Sequence, residues 1–293
     1  MSPSSLASGS SLSSRSSRSS ATSPSTPSPA PFSPPSPSGL LLVERLRASG
    51  CVFAEEEAAL LVGAAGGPGE LEEMTRRRIA GLPLEHVLGW AEFRGLRVAV
   101  APGVFVPRRR SEFLVECALE PAGPGAVVVD LCCGSGALGL ALAEALGEAE
   151  LHAADLDPAA VDCARRNLGA AGGLVHQGDL YAALPAELRG RVDILTANVP
   201  YVPTGELGLL PPEAREYEPV TALDGGGDGL DVLRRVSAEA LLWLAPGGCL
   251  LSETSGRQAA AAARQFAVDG LVPRVVEDEE RGATVVIGTK PGG

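Results

Sequence analysis

The sequence predicts an α/β fold: a mostly parallel sheet with helices on both faces, closed by an antiparallel hairpin and preceded by a small helical domain. Three observations carry that prediction. From Ala126 onward, short apolar strands alternate with helical stretches, the pattern of βαβ units. The apolar run Val127–Leu131 leads into a small-residue turn, Cys132-Cys133-Gly134-Ser135-Gly136, that opens a helix. Acidic residues stand at successive strand ends, at Asp130, Asp155 and Asp179.

The 293 residues, 45% apolar and 20% charged, allow about two domains and a proper core. Residues 1–38 hold 18 Ser and 8 Pro and no acidic residue, too little apolar surface to offset the entropy of ordering. A disordered tail is expected there, with an organellar targeting segment as the other reading of Arg15 and Arg18. No apolar run follows the start, so a cytoplasmic chain is expected, and no stretch of 18 apolar residues predicts a membrane span. Leu40–Ser49, Glu55–Ala65 and Leu71–Ala80 predict short helices punctuated by Gly50, Gly66-Gly67-Pro68-Gly69 and Gly81. They make a helical domain over 39–92, leaving 93–293 for a β-hairpin and the main domain. The hairpin is expected over Phe93–Val106, turning at Ala101-Pro102-Gly103. Strands follow at Ala126–Leu131, Leu151–Asp155, Leu174–Gln177, Val192–Ala197 and Cys249–Ser252. Helices are expected at Ala137–Leu146, Pro158–Ala170 and Leu230–Leu244. Val272–Glu277 and Thr284–Gly288, around the turn Asp278–Gly282, form the closing hairpin.

A formal charge of -12, from 24 basic and 36 acidic residues, argues against a general nucleic-acid binder, and no stable nucleic-acid partner is expected. Six Cys at no metal-ligand spacing and only three His predict no metal site. The turn after Val127–Leu131 is where chemistry concentrates. Gly134 and Gly136 let backbone approach a ligand, helix N–H groups face the same point, and Asp130 can position a charged amine through the turn. Cys132 stands where the dinucleotide fingerprint has its first Gly. Taken alone, the turn could be a tight strand-to-helix connection. Asp155 lies about 20 residues after it, at the place of a ribose-binding carboxylate. Asp179, followed by Leu180, is the third strand-end acid. Each acid singly could be a helix cap or a solvated turn residue. Together they suit a nucleoside carrying an amine, hydroxyls and an exocyclic amino group. Asp157 reads as the N-cap of its helix.

Asn198-Val199-Pro200-Tyr201, at the end of the fourth strand, resembles the Asn-Pro-Pro-Tyr motif of amino-methyltransferases that use S-adenosylmethionine. An amide or aromatic amine nitrogen has its lone pair tied up in resonance. The Asn198 side-chain oxygen and the Val199 carbonyl, both acceptors, would hold such an NH₂ group and free the lone pair. Pro200 pushes Val199 toward extended backbone, and Tyr201 would pack on the flat substrate group. The resemblance widens to peptide-release-factor glutamine N5-methyltransferases. It runs through Gly81-Leu82-Pro83-Leu84-Glu85-His86-Val87-Leu88-Gly89, Glu92-Phe93-Arg94-Gly95 and Phe105-Val106-Pro107-Arg108-Arg109-Arg110-Ser111-Glu112. It continues through Glu218-Pro219, Ala222–Leu230, Pro246-Gly247-Gly248, Glu253 and Gln258, so that it covers roughly 81–290.

The resemblance implies a Rossmann-like class I methyltransferase sheet, S-adenosyl-L-methionine as cofactor, and methyl transfer to the side-chain nitrogen of a Gln in the Gly-Gly-Gln loop of a peptide chain release factor. It implies that the N-terminal helical domain grips the protein substrate. It also implies catalytic roles for Asn198, Val199, Pro200 and Tyr201. Cofactor binding falls to Asp130, Cys132, Cys133, Gly134, Ser135, Gly136, Asp155, Asp179, Leu180, Asn198 and Glu112. Three departures stand out: Val199 for the first Pro of the motif, Cys132 for the first Gly of the turn, and Arg109 and Arg110 for a Pro and an acid. The alternatives are transfer to another planar amino nitrogen, adenine N6 in nucleic acid or a group on another protein or small molecule, and a binding module whose site has decayed. Arg108 either supports the substrate loop or is solvated. His152 and His176 read as structural, and His86 is unassigned.

Overall fold

The computed structural model describes residues 37–292, so the expected tail lies almost wholly outside the described residues. Four helices come first: α1 Pro37–Ala48, α2 Ala54–Ala64, α3 Pro68–Ile79 and α4 Leu84–Leu88. Their apolar positions, three and four apart, converge on a core of their own around Leu42, Leu46, Leu61, Met74 and Val87. Inside that cluster the buried Arg78 makes a two-pronged ion pair with Glu57, at 2.6 and 3.0 Å. A third bond, 2.6 Å to Glu213, ties the cluster to a distant segment, as does the Tyr217 hydroxyl donating to the Ala80 carbonyl at 3.0 Å.

The hairpin is displaced from its expected place. It pairs β1 Trp90–Phe93 with β2 Leu96–Ala99 and turns at Arg94-Gly95, both at positive φ (50° and 75°). Two positive-φ residues match the right-handed strand twist, and this two-residue turn wins over Ala101-Pro102-Gly103. The latter forms a separate turn, closed by Val104 N–H donating to the Ala101 carbonyl at 3.1 Å. The expected boundary between residues 92 and 93 therefore falls inside β1.

After α5 Glu112–Leu119 come β3 Val127–Leu131, α6 Ala137–Leu146, β4 Glu150–Asp155, α7 Pro158–Leu168, β5 Leu174–Gln177 and β6 Val192–Ala197. Then follow α8 Pro212–Tyr217, α9 Asp231–Trp243, β7 Leu244–Thr254, α10 Gly256–Val268, β8 Val272–Asp278 and β9 Ala283–Thr289. The strands from β3 onward form one seven-stranded sheet in the order β5-β4-β3-β6-β7-β9-β8. β3 to β7 run parallel, and β9 joins β7 and β8 antiparallel. β7 starts earlier than its apolar run because Pro246-Gly247-Gly248 is carried as an irregularity against β6. A Cβ on Gly248 would sit 2.5 Å from the Val192 carbonyl oxygen. The helix α8 was not foreseen.

Alternate strand residues feed two cores. Val128, Ala153, Ile194 and Leu251 pack with α5, α6 and α7. Val129, Leu195, Leu250 and Val286 pack with α9 and α10. No helix among the described residues is long and apolar enough to cross a membrane. Replacing Arg78 by Ala strands the buried Glu57 carboxylate and should lower unfolding free energy by about 3–5 kcal/mol. Arg78→Met combined with Glu57→Gln should recover most of the loss in the same denaturant titration.

Candidate active site

The connections of β3 and β6 leave the sheet in opposite directions, β3 by way of α6 toward β4 and β6 toward β7. Their adjacent carboxyl ends therefore open onto a crevice, the expected position of a ligand in a doubly wound sheet. A cavity of about 640 Å³ occupies that place.

Its floor is the turn after β3. Cys132, Cys133, Gly134 and Ser135 line it, with Cys132 at φ 54°, Gly134 at 55° and Gly136 at 78°. Left-handed backbone at a residue bearing Cβ costs roughly 1–2 kcal/mol, so Cys132 keeps the turn at some expense. Its thiol, pushed up by burial and then by Asp155 and Asp130, stays protonated. Gly136 lies behind the cavity, where an added Cβ would meet Ala164 and Leu168 at 3.2 Å.

The three strand-end acids do three different things. Asp130 is fully buried and does not reach the cavity. It accepts from the Gly139 N–H at 3.1 Å and from the Thr196 hydroxyl at 2.9 Å, pinning α6 and β6 to β3. Burial, which outweighs those two bonds, raises its pKa to about 7. Asp155 does line the cavity. One oxygen accepts from the Gly134 N–H at 2.8 Å and the other from the Asp157 N–H at 2.9 Å, so it shapes the turn while facing the space. Burial raises its pKa as well. Asp179 lines the cavity, paired at 2.6 Å with Arg235 of α9, and the next residue, Leu180, holds φ 49°. Asp157 caps α7 as expected, accepting from the Ala159 N–H at 2.8 Å. Glu112 lies outside the cavity lining. Its carboxylate accepts from the Arg94 N–H at 3.0 Å, holding the tight β1–β2 turn.

At the other end of the cavity stands Asn198-Val199-Pro200-Tyr201. The loop is rigidly backed. Gln258 donates to the Tyr201 carbonyl at 2.9 Å, and Val202 exchanges backbone bonds with Leu223 and Gly225. Gly229, at φ 78°, passes so close that a Cβ would lie 2.3 Å from the Tyr201 carbonyl oxygen. Among the described residues, no protein donor is directed at the Asn198 Oδ1 or the Val199 carbonyl. The Asn198 Nδ2 donates to the Ser111 hydroxyl at 3.3 Å. The Tyr201 hydroxyl donates to Glu253 at 2.8 Å and accepts from Arg110 at 2.6 Å, and burial with the Glu253 charge pushes its pKa up. Arg108 is a loop support. It pairs at 2.6 Å with the buried Glu218, whose other oxygen accepts from the Val106 N–H.

Ser111, Arg110 and Glu253 were not assigned to this site from the sequence. The signal was an acid at the end of the apolar run Cys249–Ser252, where only a paired carboxylate is tolerated. Of the histidines, His86 bonds the Val104 carbonyl at 2.9 Å, and His152 and His176 stack on each other away from the cavity.

A strand-turn-helix cradle of positive-φ backbone, a second strand-end carboxylate beside it and an adjoining pair of open acceptors define a site for a nucleoside cofactor and an amino-group acceptor. The cavity has room for S-adenosylmethionine, and its residues fit that group. The fold is that of S-adenosylmethionine-dependent methyltransferases. A methyltransferase structure from Pyrococcus furiosus superposes with a TM-score of 0.51 at 16% identity, covering 68% of this chain and 90% of that one. Residues 95–207 match the family model described as Methyltransferase small domain. Release factor glutamine methyltransferase of Geobacter sulfurreducens is 38% identical over 221 residues, 75% of this chain and 77% of that protein. The 4-amino-L-phenylalanine/4-methylamino-L-phenylalanine methyltransferase of Streptomyces pristinaespiralis is 38% identical over 202 residues, 67% of this chain and 68% of that one. The chain belongs to the family of the release factor glutamine methyltransferases.

The Asp130 pKa of about 7, against an ordinary 3.8, means the folded state keeps a proton that the unfolded state has already lost. The stability this group contributes in acid is therefore lost as pH rises from about 4 to 7. Relative to Asp130→Asn, the wild type should lose on the order of 4 kcal/mol over that window and nothing further above it. Urea titrations of both proteins across pH check this.

Proposed function

We propose that this chain transfers a methyl group from S-adenosylmethionine to the side-chain amide nitrogen of a glutamine in a peptide chain release factor, within its Gly-Gly-Gln loop. The observation that carries this reading is the pair of open acceptors, Asn198 Oδ1 and the Val199 carbonyl, on a rigid loop at the edge of the cavity.

Bound in the cradle, the cofactor supplies an electrophilic methyl on a sulfonium. The chain's part is geometric and electrostatic. The two acceptors take the two N–H groups of the substrate amide, draw density onto nitrogen and aim its lone pair down the cavity. With the cofactor bound, the amide held by these two acceptors would take the methyl as its S–C bond is given up to sulfur, and the surplus proton on nitrogen would leave to solvent. Tyr201, fixed at its hydroxyl by Glu253 and Arg110, offers its ring as a wall for the planar amide. Val199, fully buried, keeps its carbonyl in place without the usual Pro, because Pro200 restricts it from the other side.

Residues 39–92 serve in this reading as the substrate-recognition domain. Arg78–Glu213 and Tyr217–Ala80 join that helical cluster to α8, whose Glu213 and Ala214 wall the cavity. The exposed Val52, Phe53 and Val62 give it apolar surface to offer a protein. Six unpaired thiols fit a cytoplasmic enzyme, and the -12 charge fits a protein partner better than a nucleic acid. A second reading, transfer to an aromatic primary amine, has the support of the 4-aminophenylalanine relative.

Labelled S-adenosylmethionine should mark purified release factor, and a Gln→Ala change in its Gly-Gly-Gln loop should abolish the label. Label on 4-aminophenylalanine with none on the factor would favour the second reading. Asn198→Ala should lower kcat by about 10²–10³-fold and leave cofactor binding, followed by calorimetry, near the wild-type value.

A further inference from the structure

Glu253, at the end of β7, and Ser111, just before α5, are both 2% exposed. The Glu253 carboxylate accepts three hydrogen bonds. They come from the Ser111 hydroxyl at 2.5 Å, the Tyr201 hydroxyl at 2.8 Å and the Arg110 Nε at 2.9 Å. A carboxylate facing a guanidinium has no proton to give, so the one proton of Ser111 must point at Glu253. The Ser111 oxygen is then left with lone pairs only, toward Asn198.

We infer that Glu253 and Ser111 are positioning residues that fix which end of the Asn198 amide faces the substrate. An Asn side chain can be turned by 180° with little change in shape, and only its hydrogen-bond partners decide which end is which. With Ser111 confined to accepting, the turned state would set two acceptor oxygens against each other. The observed state, Nδ2 to Ser111 at 3.3 Å, satisfies both groups and delivers Oδ1 to the cavity. A substrate bearing N–H is thereby favoured over one offering an acceptor. The same carboxylate orients the other end of the loop, because the Tyr201 hydroxyl donates to it while accepting from Arg110. One buried acid thus sets the hydrogen-bond direction at two residues that it places on the substrate. In mechanistic terms this rests on the reading that Asn198 Oδ1 accepts from the methyl acceptor.

The test exploits composition. The chain has two Asn, Asn167 and Asn198, so ¹⁵N-Asn labelling gives two side-chain amide pairs in an NMR spectrum. Asn167, whose Nδ2 donates to the Ala99 and Ser135 carbonyls, is an internal control. In the wild type, one Asn198 Nδ2 proton should exchange slowly with water. Ser111→Ala should abolish that protection and Ser111→Thr keep it, with Asn167 unchanged in both. Glu253→Gln can donate to Ser111 and release its proton toward Asn198, so the amide should turn. In that variant and in Ser111→Ala, kcat should fall by about 10–100-fold while the KM for S-adenosylmethionine stays put. Undiminished protection in Ser111→Ala, or kcat values at the wild-type level, would overturn the assignment. The NMR arm needs no methyl acceptor, so failure of the wild type to methylate a release factor would count against the proposed function alone.

Discussion

Two neighbouring parallel strands whose connections depart in opposite directions are the constraint from which the rest of the site follows. β3 and β6 lie side by side in register from Val128 and Ile194 to Leu131 and Ala197. Nothing continues the sheet beyond their carboxyl ends, so the turn at Cys132 and the loop at Asn198 face each other across a gap. Below the gap, Asp130 reaches from β3 to Thr196 on β6 and to the N-terminal turn of α6, tying the three elements together. A fully buried acid with two donors and no counter-charge is expensive to keep. It sits between the turn after β3 and the end of β6, and its two bonds fix the placement of the Cys132 turn relative to the Asn198 loop.

Acidic groups recur as braces. Asp155 holds the turn after β3 through two backbone N–H groups, Glu218 anchors the segment before α5 through Val106 and Arg108, and Glu253 ties down the loop at Tyr201. By the resemblance drawn from the sequence, Arg109 and Arg110 stand where a Pro and an acid would be expected. Arg110 has been drawn into the network, where it balances the Glu253 charge. A residue that enters the sequence reading only as a departure from the family element is thereby part of the wall behind Tyr201.

The repeating α/β core was legible in the sequence because strand and helix periods alternate there with clear Gly and Pro punctuation. Ala137–Leu146 and Val192–Ala197 come out at the residues expected. The hairpin was misplaced because a Pro-Gly pair is a louder turn signal than Arg94-Gly95, whose fitness lies in two positive φ angles. Cys132 to Ser135 stand out in the sequence as a small-residue turn after a strand, and Asn198 to Tyr201 by resemblance to a family motif; both segments line the cavity. Glu112 is engaged by the neighbouring hairpin, accepting from the Arg94 N–H at its turn, a long-range contact that no local pattern announces. The Ser111–Glu253 pair is separated by 142 residues and meets only through sheet topology, so no local pattern announces it.

In the proposed reaction, two protein acceptors hold the nitrogen that is methylated. The most direct measurement is a crystal structure with S-adenosylhomocysteine and a glutamine peptide from the release-factor loop. The glutamine nitrogen should lie about 2.9 Å from both Asn198 Oδ1 and the Val199 carbonyl oxygen, with its free face toward the sulfur. A glutamine bound through its oxygen to Asn198 Nδ2, or a nitrogen held by neither acceptor, would contradict it.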